Sequence, residues 1–219
     1  ITWNREQEKS LILKSVAIKE LHHRVKNNLQ IIASLLRLQA RRTDNEETKR
    51  LLSESINRIL SIAVTHQLLS QSGMDEVNLK EVLHTVRNNA VQSFLGPSLK
   101  INLEMTGDEM TVNSDIATSV ALSVNELLQN SIRYAFAGRE EGNIRIQIIR
   151  GKIYSAIEIV DDGIGFDSKK IRSDSMGLNI VESMVRDKLH GKLKIRSDRD
   201  GTRVSFDFMN KTTDKLGLD

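Results

Sequence analysis

Two long stretches of the chain repeat apolar residues at the spacing of an amphipathic helix. The first runs over 4–41 without Gly or Pro, and the second over 47–70, after a polar stretch at 42–46. On the second stretch the apolar positions form two adjacent lines, Leu52, Ile56, Ile59 and Ala63 beside Leu60, Val64 and Leu68. A stripe of that width is more than one partner helix covers. The pattern therefore predicts a helical hairpin that pairs with a second copy as a dimeric four-helix bundle.

From residue 77 onward, helical patterns alternate with the period-two pattern of half-buried strands. Helices are predicted over 79–94 (N-cap Asn78, ended by Gly96-Pro97), 114–136 and 177–189. Strands are predicted over 99–105, 143–150, 152–160, 191–197 and 202–208, with turns at Gly151 and 198–201. Helices combined with mostly antiparallel strands predict an α+β sandwich with the helices on one face. We place the domain boundary at residues 72 and 73 and expect residues 211–219 to form a disordered tail.

Composition narrows the classes of function. Cysteine is absent, which excludes disulfides, thiolate metal sites and cysteine nucleophiles. No apolar run approaches the roughly 20 residues that cross a bilayer, so we expect no membrane contact by this stretch of chain. The net charge is only +3 and aromatic residues make up 4%, so no basic stripe is interleaved with aromatics. Nucleic-acid binding is therefore not expected.

A histidine on the first helix is the first candidate for chemistry. One face of that helix is apolar and holds Leu21, Val25, Leu29, Ile32, Leu35 and Leu36. At about 100° per residue, His23 falls opposite this face and His22 on its flank. Glu20 precedes His23 by three residues, and Lys26 and Asn27 follow within one turn, so all three are within side-chain reach. A single helical histidine is more often an ordinary surface residue, and by itself this one leaves both interpretations open.

A second polar cluster lies on the predicted helix 114–136. Glu126, Asn130, Arg133 and Tyr134 are spaced by four, three and one residues, which puts them along one side of an α-helix. The side-chain amide of Asn130 offers a neutral oxygen to Mg²⁺, which prefers hard oxygen ligands. Arg133 could contact phosphates, and Tyr134 could lie against a nucleotide. The polar face of an amphipathic helix explains the same residues equally well.

Three glycine-bearing segments follow in order. Asp161-Asp162-Gly163-Ile164-Gly165 comes directly after an apolar strand, where a carboxylate can accept a hydrogen bond from the exocyclic amine of adenine. Gly177-Leu178 opens a helix, whose N-terminal N–H groups can hold phosphate. Gly201-Thr202 opens the last strand. Each segment is common by chance, whereas their order and spacing together are specific.

The combined set resembles the N, G1, G2 and G3 boxes of the Bergerat ATP-binding fold, shared by histidine kinases, type II topoisomerases, mismatch-repair ATPases and a heat-shock chaperone. The run from Glu20 through His23-Arg24 to Asn27 resembles the phosphoacceptor helix of histidine kinases with a His-Arg-x-x-Asn box. The resemblance covers about residues 14–209. It implies an ATP-dependent kinase of two-component signalling that phosphorylates His23 and passes the phosphoryl group to an aspartate of a response-regulator receiver domain. Phosphatase activity toward that receiver is a further activity of the family.

The resemblance also assigns roles by position. Asn130 would hold Mg²⁺, Asp161 would contact adenine, and Glu126 is the acidic residue of the N box. The residues that would line the ATP pocket are Arg133, Tyr134, Gly163, Gly165, Gly177, Leu178, Gly201 and Thr202. In the commoner pattern an acidic residue follows the phosphoacceptor, but here Arg24 stands there. Glu20 is therefore the candidate for orienting the imidazole, with Asn27 beside it.

Two other functions remain open. A Bergerat-fold ATPase clamp would use Glu126 to activate water, and it would leave the His23 helix without a purpose. A non-enzymatic dimerisation scaffold would have damaged nucleotide boxes, and these look intact. Since the chain starts at Ile1, we expect residues 1–19 to continue a signalling helix from an upstream sensor, and this part of the protein to be cytoplasmic.

Overall fold

The computed structural model describes residues 2–72, 76–94, 99–166 and 176–210. It divides into two compact units between Val77 and Asn78, just after the boundary predicted at residues 72 and 73. The predicted helix end at Gly96-Pro97 and the predicted tail 211–219 lie outside the described residues. In the part of the chain that is described, no helix is both long enough and apolar enough to span a bilayer.

The first unit is a helical hairpin of α1 (Thr2–Arg42) and α2 (Glu46–Ser72). Asn45 begins α2 as predicted by the polar break, because its side chain accepts a hydrogen bond from the Thr48 N–H at 2.9 Å. Ala33, Ile56 and Ala63 are buried between the helices, and the two alanines let the backbones approach closely. One face of α1 remains open to solvent, with large apolar side chains at Leu21, Val25, Ile31, Ile32, Leu35 and Leu38.

The second unit is an α+β sandwich, as predicted. Strand β1 (Glu76–Asn78) crosses the division between the units. The strands that follow are β2 (Lys100–Gly107), β3 (Thr111–Asn113), β4 (Glu141–Ile149), β5 (Tyr154–Asp161), β6 (Leu193–Asp198) and β7 (Gly201–Met209). The main sheet has the order β2-β4-β5-β7-β6, and β1 pairs with β3 in a separate two-stranded sheet. Only β2 and β4 run parallel within the five-stranded sheet. Alternate residues of β4, β5 and β7 are fully buried, including Ile146, Ile157 and Phe206.

The helices of this unit are α3 (Leu79–Phe94), α4 (Ser114–Asn130) and α5 (Met176–Ser183). The predicted Asn78 cap is present, since Asn78 Oδ1 accepts a hydrogen bond from the Lys80 N–H at 2.9 Å. The central helix α4 is buried on nearly all sides and starts at a second asparagine cap, Asn113, whose Oδ1 accepts from the Ile116 N–H at 2.8 Å.

Two predicted helices are helical almost to their predicted ends, but their last turns are π-helical and not α-helical. Instead of continuing to 136, α4 gives way at Asn130 to a π-helical turn, Ser131–Ala135, and α5 gives way to another, Met184–Lys188. The physical reason in the first case is tertiary contact. The carbonyl of Ala135 accepts a hydrogen bond from the Ile164 N–H at 2.8 Å. That bond ties the end of the helix to the loop after β5, which overrides the local α-helical preference.

Candidate functional site

The predicted phosphoacceptor lies in the middle of α1, and its side chain is exposed to solvent. Glu20, the candidate for orienting the imidazole, instead accepts a hydrogen bond from Arg24 Nε at 2.9 Å. Both partners of this ion pair are well exposed, so it contributes little to stability and can exchange with other partners. The orienting role of Glu20 therefore stays a prediction. Asn27 is also exposed, and it lines a shallow groove on α1 with Ile31 and Leu35.

Two of the three glycine-bearing segments, those of Gly163 and of Gly201-Thr202, meet at Asp161. Asp161 is the last residue of β5 and is only 5% exposed. Asp161 Oδ1 accepts hydrogen bonds from the Gly163 N–H at 3.2 Å and the Thr202 N–H at 3.1 Å. Asp161 Oδ2 accepts one from the Ser131 hydroxyl at 2.7 Å. An ionised carboxylate has about four acceptor positions. Three are used, and one is left for a ligand donor such as an exocyclic amine.

Three glycines let the backbone pack closely around this carboxylate. A Cβ on Gly163 would collide with the carbonyl and side chain of Ala135, and one on Gly201 would collide with the carbonyl of Asp161. Gly165 has φ +61°, and its Cβ would run into the carbonyl of Asp198. The loop after β5 is thus pressed against both the π-helical turn and the β6–β7 hairpin. The sequence motif Asp-x-Gly-x-Gly is explained by this double contact.

The N-box residues lie on α4 and the turn after it. Glu126 is buried, and Asn130 is half-buried one turn further on. Arg133 and Tyr134 are both exposed, with the guanidinium carbon 5.9 Å from the ring centroid. Their predicted alignment with Glu126 and Asn130 assumed an α-helix, and the π-helical turn changes that phase because its hydrogen bonds span five residues rather than four. Nucleotide contact by Arg133 and Tyr134 stays a prediction.

The remaining boxes lie at the starts of α5 and β7. Gly177 is buried, Leu178 is half-buried, and Thr202 is 8% exposed. Thr202 Oγ1 lies 2.9 Å from the Ser197 hydroxyl, which also accepts a hydrogen bond from the Phe166 N–H at 2.9 Å. Ser197 therefore connects the β6–β7 hairpin to the loop after β5.

Sequence reasoning missed Ser131 and Ser197. Ser131 directly follows the N-box asparagine, which is a usable signal, but its contact with Asp161 depends on the π-helical turn. Ser197 sits on an edge strand with no motif around it. Serine hydroxyls are common hydrogen-bonding groups, so neither residue stands out from the sequence alone.

The pKa values of Asp161 and its neighbour Asp162 are shifted in opposite directions. Burial raises the pKa of the Asp161 carboxyl, and the hydrogen bonds from Ser131, Gly163 and Thr202 offset only part of that rise. Partial burial also acts on Asp162, but hydrogen bonds from Asn143 Nδ2 (2.7 Å) and the Asn143 N–H (2.8 Å) outweigh it and lower the pKa of that carboxyl. A hydrogen bond from a ligand to the remaining acceptor would therefore stabilise the charged form of Asp161.

We expect the two aspartates to affect stability with opposite signs. An acid whose pKa is raised on folding binds its proton more tightly in the folded state, so stability falls as pH rises from the unfolded pKa of 3.8 through the folded pKa. Asp161→Asn should therefore raise the melting temperature by a few degrees at pH 7, and the gain should shrink toward pH 4. Asp162→Asn should lower the melting temperature at pH 7, and its loss should fade below pH 3.8. Melting curves of both variants across this pH range check the prediction; a destabilised Asp161→Asn at pH 7 would contradict it.

The free acceptor of Asp161 fits the exocyclic amine of an adenine nucleotide. A buried carboxylate with one free acceptor suits a neutral amine donor. Within the described residues there is no group of three or more His, Cys, Asp or Glu side chains that could hold a metal ion by itself. A metal at Asn130 would therefore need ligand oxygens from a bound phosphate, which is how Mg²⁺ commonly binds in nucleotide sites.

Comparison with known proteins matches both parts of the chain. Residues 20–94 match a family described as histidine kinase, and residues 115–212 match the histidine kinase-, DNA gyrase B- and HSP90-like ATPases. The sensor histidine kinase PdtaS of Mycobacterium tuberculosis is 40% identical over 210 residues, which is 93% of this chain and 41% of the relative. Blue-light-activated histidine kinase 2 of Erythrobacter litoralis is 24% identical over 199 residues, 87% of this chain and 56% of the relative. The chain thus spans less than two thirds of the length of these relatives.

The fold also resembles that of a solved structure. The histidine kinase domain of the Erythrobacter litoralis EL346 blue-light activated kinase aligns over 90% of this chain and 94% of that domain, with a TM-score of 0.65 and 18% identity. At that identity the likeness concerns the fold alone. Together with the two matched families in this order, it supports one assignment. The chain belongs to the histidine kinases, as a catalytic core in which a helical region precedes an ATP-binding domain of the Bergerat type.

Proposed function

We propose that this chain uses ATP to phosphorylate His23 and then passes the phosphoryl group to an aspartate of a response-regulator receiver domain. The observation that carries the proposal is the pairing, in one chain, of an exposed histidine on α1 with the buried carboxylate of Asp161, which keeps one free acceptor. The family match and the relatives named sensor histidine kinase support it. The His-Arg-x-x-Asn assignment, which selects His23, is part of the proposal.

The chemistry follows from roles that the residues can fill. The Asp161 carboxylate accepts a hydrogen bond from the exocyclic amine of adenine and so fixes the position of the base. A nitrogen of the neutral His23 imidazole attacks the γ-phosphorus, the bond from that phosphorus to the bridging oxygen breaks, and ADP leaves with the electron pair. Mg²⁺, when bound through Asn130 and the phosphates, supplies positive charge for the transferring group. Glu20 and Asn27 lie within one turn of His23 and can orient its ring.

The runner-up is an ATPase clamp in which Glu126 activates water. Its support is that Glu126 is buried on α4, one turn before Asn130. The two functions differ in where the γ-phosphate goes. With Mg-ATP, the kinase gives a phosphorylated protein, whereas the clamp gives steady release of phosphate and no protein adduct. Receiver-directed phosphatase activity, which the family implies, stays a prediction and needs the receiver partner for its test.

We propose that the chain is a homodimer through the open face of α1. Burying an exposed leucine such as Leu35, which is 57% exposed, yields about 1.5–3 kcal/mol, so a row of them is a strong driving force for pairing. Light scattering should give twice the chain mass of 24.7 kDa. Leu35→Glu should shift the mass to that of the monomer, and Arg37→Glu, an exposed change on the same helix, should not. A monomeric wild-type chain at micromolar concentration would contradict this proposal.

A further inference from the structure

Ser131 occupies a distinctive place beside the adenine-binding carboxylate. It directly follows Asn130 and is the first residue of the π-helical turn. Its hydroxyl donates to Asp161 Oδ2 at 2.7 Å, whereas both backbone N–H groups that reach the carboxylate, from Gly163 and Thr202, donate to Oδ1. Each carboxylate oxygen has two acceptor positions. Oδ1 is thus fully used, and the acceptor that remains is on Oδ2, beside the serine hydroxyl.

We propose that Ser131 is a positioning residue for nucleotide recognition, because its hydroxyl fixes the direction of the last free acceptor on Asp161. The proposal rests on the proposed role of Asp161 in binding the exocyclic amine of adenine. The two N–H groups restrain one oxygen of the carboxylate. The torsion that sets the plane of a carboxylate is soft, so a third donor on the other oxygen is needed to hold that plane. Ser131 is the residue that supplies it.

The π-helical turn explains how the hydroxyl reaches this position. The Ser131 N–H is shared between the carbonyls of Leu127 and Leu128, so the first residue of the turn is still hydrogen-bonded to the end of α4. At the other end of the turn, the Ala135 carbonyl accepts from the Ile164 N–H. The turn is therefore fastened at one end to the last residue of β5 through a side chain, and at the other end to the loop after β5 through the backbone. A continuous α-helix would change the phase of both contacts.

A purely structural role for Ser131 makes a different prediction. If the hydroxyl only satisfies a buried carboxylate, its loss lowers stability and affects all properties of the folded site alike. If the hydroxyl fixes the direction of the free acceptor, its loss lowers the ground-state affinity for adenine. The rate of phosphoryl transfer at saturating ATP should then be almost unchanged, because Ser131 lies at the base end of the nucleotide.

The test compares Ser131→Ala, Ser131→Thr and wild-type protein in equilibrium binding of ATP and in the rate of protein labelling with Mg-ATP. For Ser131→Ala we expect the dissociation constant and the KM for ATP to rise about tenfold, with the maximal rate within about twofold of wild type. Ser131→Thr keeps the hydroxyl and should recover most of the affinity. Ser123→Ala is the control, because the Ser123 hydroxyl on α4 donates to the Ser119 carbonyl at 2.8 Å. Ser123 is buried, whereas Ser131 is half-buried.

Each outcome separates the inference from the proposed function. Wild-type affinity in Ser131→Ala, or an equal loss in Ser123→Ala, overturns the positioning role. A loss in maximal rate with unchanged KM also overturns it. Should Ser131→Ala fail to fold, Ser131→Cys, which is similar in size but a weaker donor, provides the same comparison. If wild-type protein binds no ATP, the failure belongs to the proposed function instead.

Discussion

Asp161→Asn should reduce the affinity for ATP by about 100-fold while leaving the domain folded. The amide can make three hydrogen bonds to the same partners. Its oxygen accepts from the N–H groups of Gly163 and Thr202, and its nitrogen donates to the Ser131 hydroxyl, which reverses the direction of the native bond. Its second N–H then points where the acceptor for adenine was. Two donors would face each other, and an unpaired buried donor on each side costs about 1–3 kcal/mol.

The same substitution should change which base is preferred. Inosine triphosphate carries an oxygen where ATP carries its exocyclic amine, so it is repelled by the carboxylate and can accept from the amide. The preference for ATP over inosine triphosphate should therefore collapse in Asp161→Asn, as measured by competition binding. Asp162→Asn is the control, since that carboxylate is exposed and hydrogen-bonds to Asn143. Unchanged ATP affinity in Asp161→Asn would show that Asp161 is not the adenine contact.

Much of the fold was accessible from the sequence because the apolar periodicity is strong and the end signals are clear. The hairpin, the α+β sandwich and the cap at Asn78 follow from helix and strand periods and from a side chain that satisfies open N–H groups. The strands β1 and β3 could not be predicted, because three residues are too few to show a period. The π-helical turns were also out of reach, since contacts distant in sequence impose them.

The candidate site could likewise be predicted only in part. Asp161 and its glycines could be identified because a motif of backbone requirements leaves a trace in residue type: a positive φ at Gly165 and the contact of Gly163 with Ala135 both select glycine. Which groups donate to the carboxylate could not be read from the motif. Ser131, 30 residues earlier in the chain, reaches Asp161 only through the shape of the turn that follows Asn130. Likewise, the pairing of Glu20 with Arg24 depends on a rotamer choice that sequence does not specify.

His23→Ala should abolish phosphorylation of the protein without affecting ATP binding. His23 is exposed on α1 and belongs to the helical unit. Asp161 and its hydrogen-bond partners all belong to the second unit. Removing an exposed side chain from a helix costs little stability, and alanine is the best helix former. The acceptor of the phosphoryl group is then missing while the nucleotide site remains. We expect labelling to fall at least 1,000-fold, to the background of the assay, because no other group replaces a lost nucleophile.

The most direct measurement is therefore labelling with γ-phosphate-labelled Mg-ATP of wild-type, His23→Ala and His22→Ala proteins, followed by acid and base treatment of the adduct. If His23 is the phosphoacceptor, we expect an adduct that is lost in acid and stable in base. It should be absent in His23→Ala and retained in His22→Ala. Equal ATP binding by all three proteins shows that a missing adduct does not come from a damaged nucleotide site. An adduct that survives His23→Ala and disappears in His22→Ala, or phosphate release with no adduct at all, would contradict the central claim that His23 is the phosphoacceptor of this kinase.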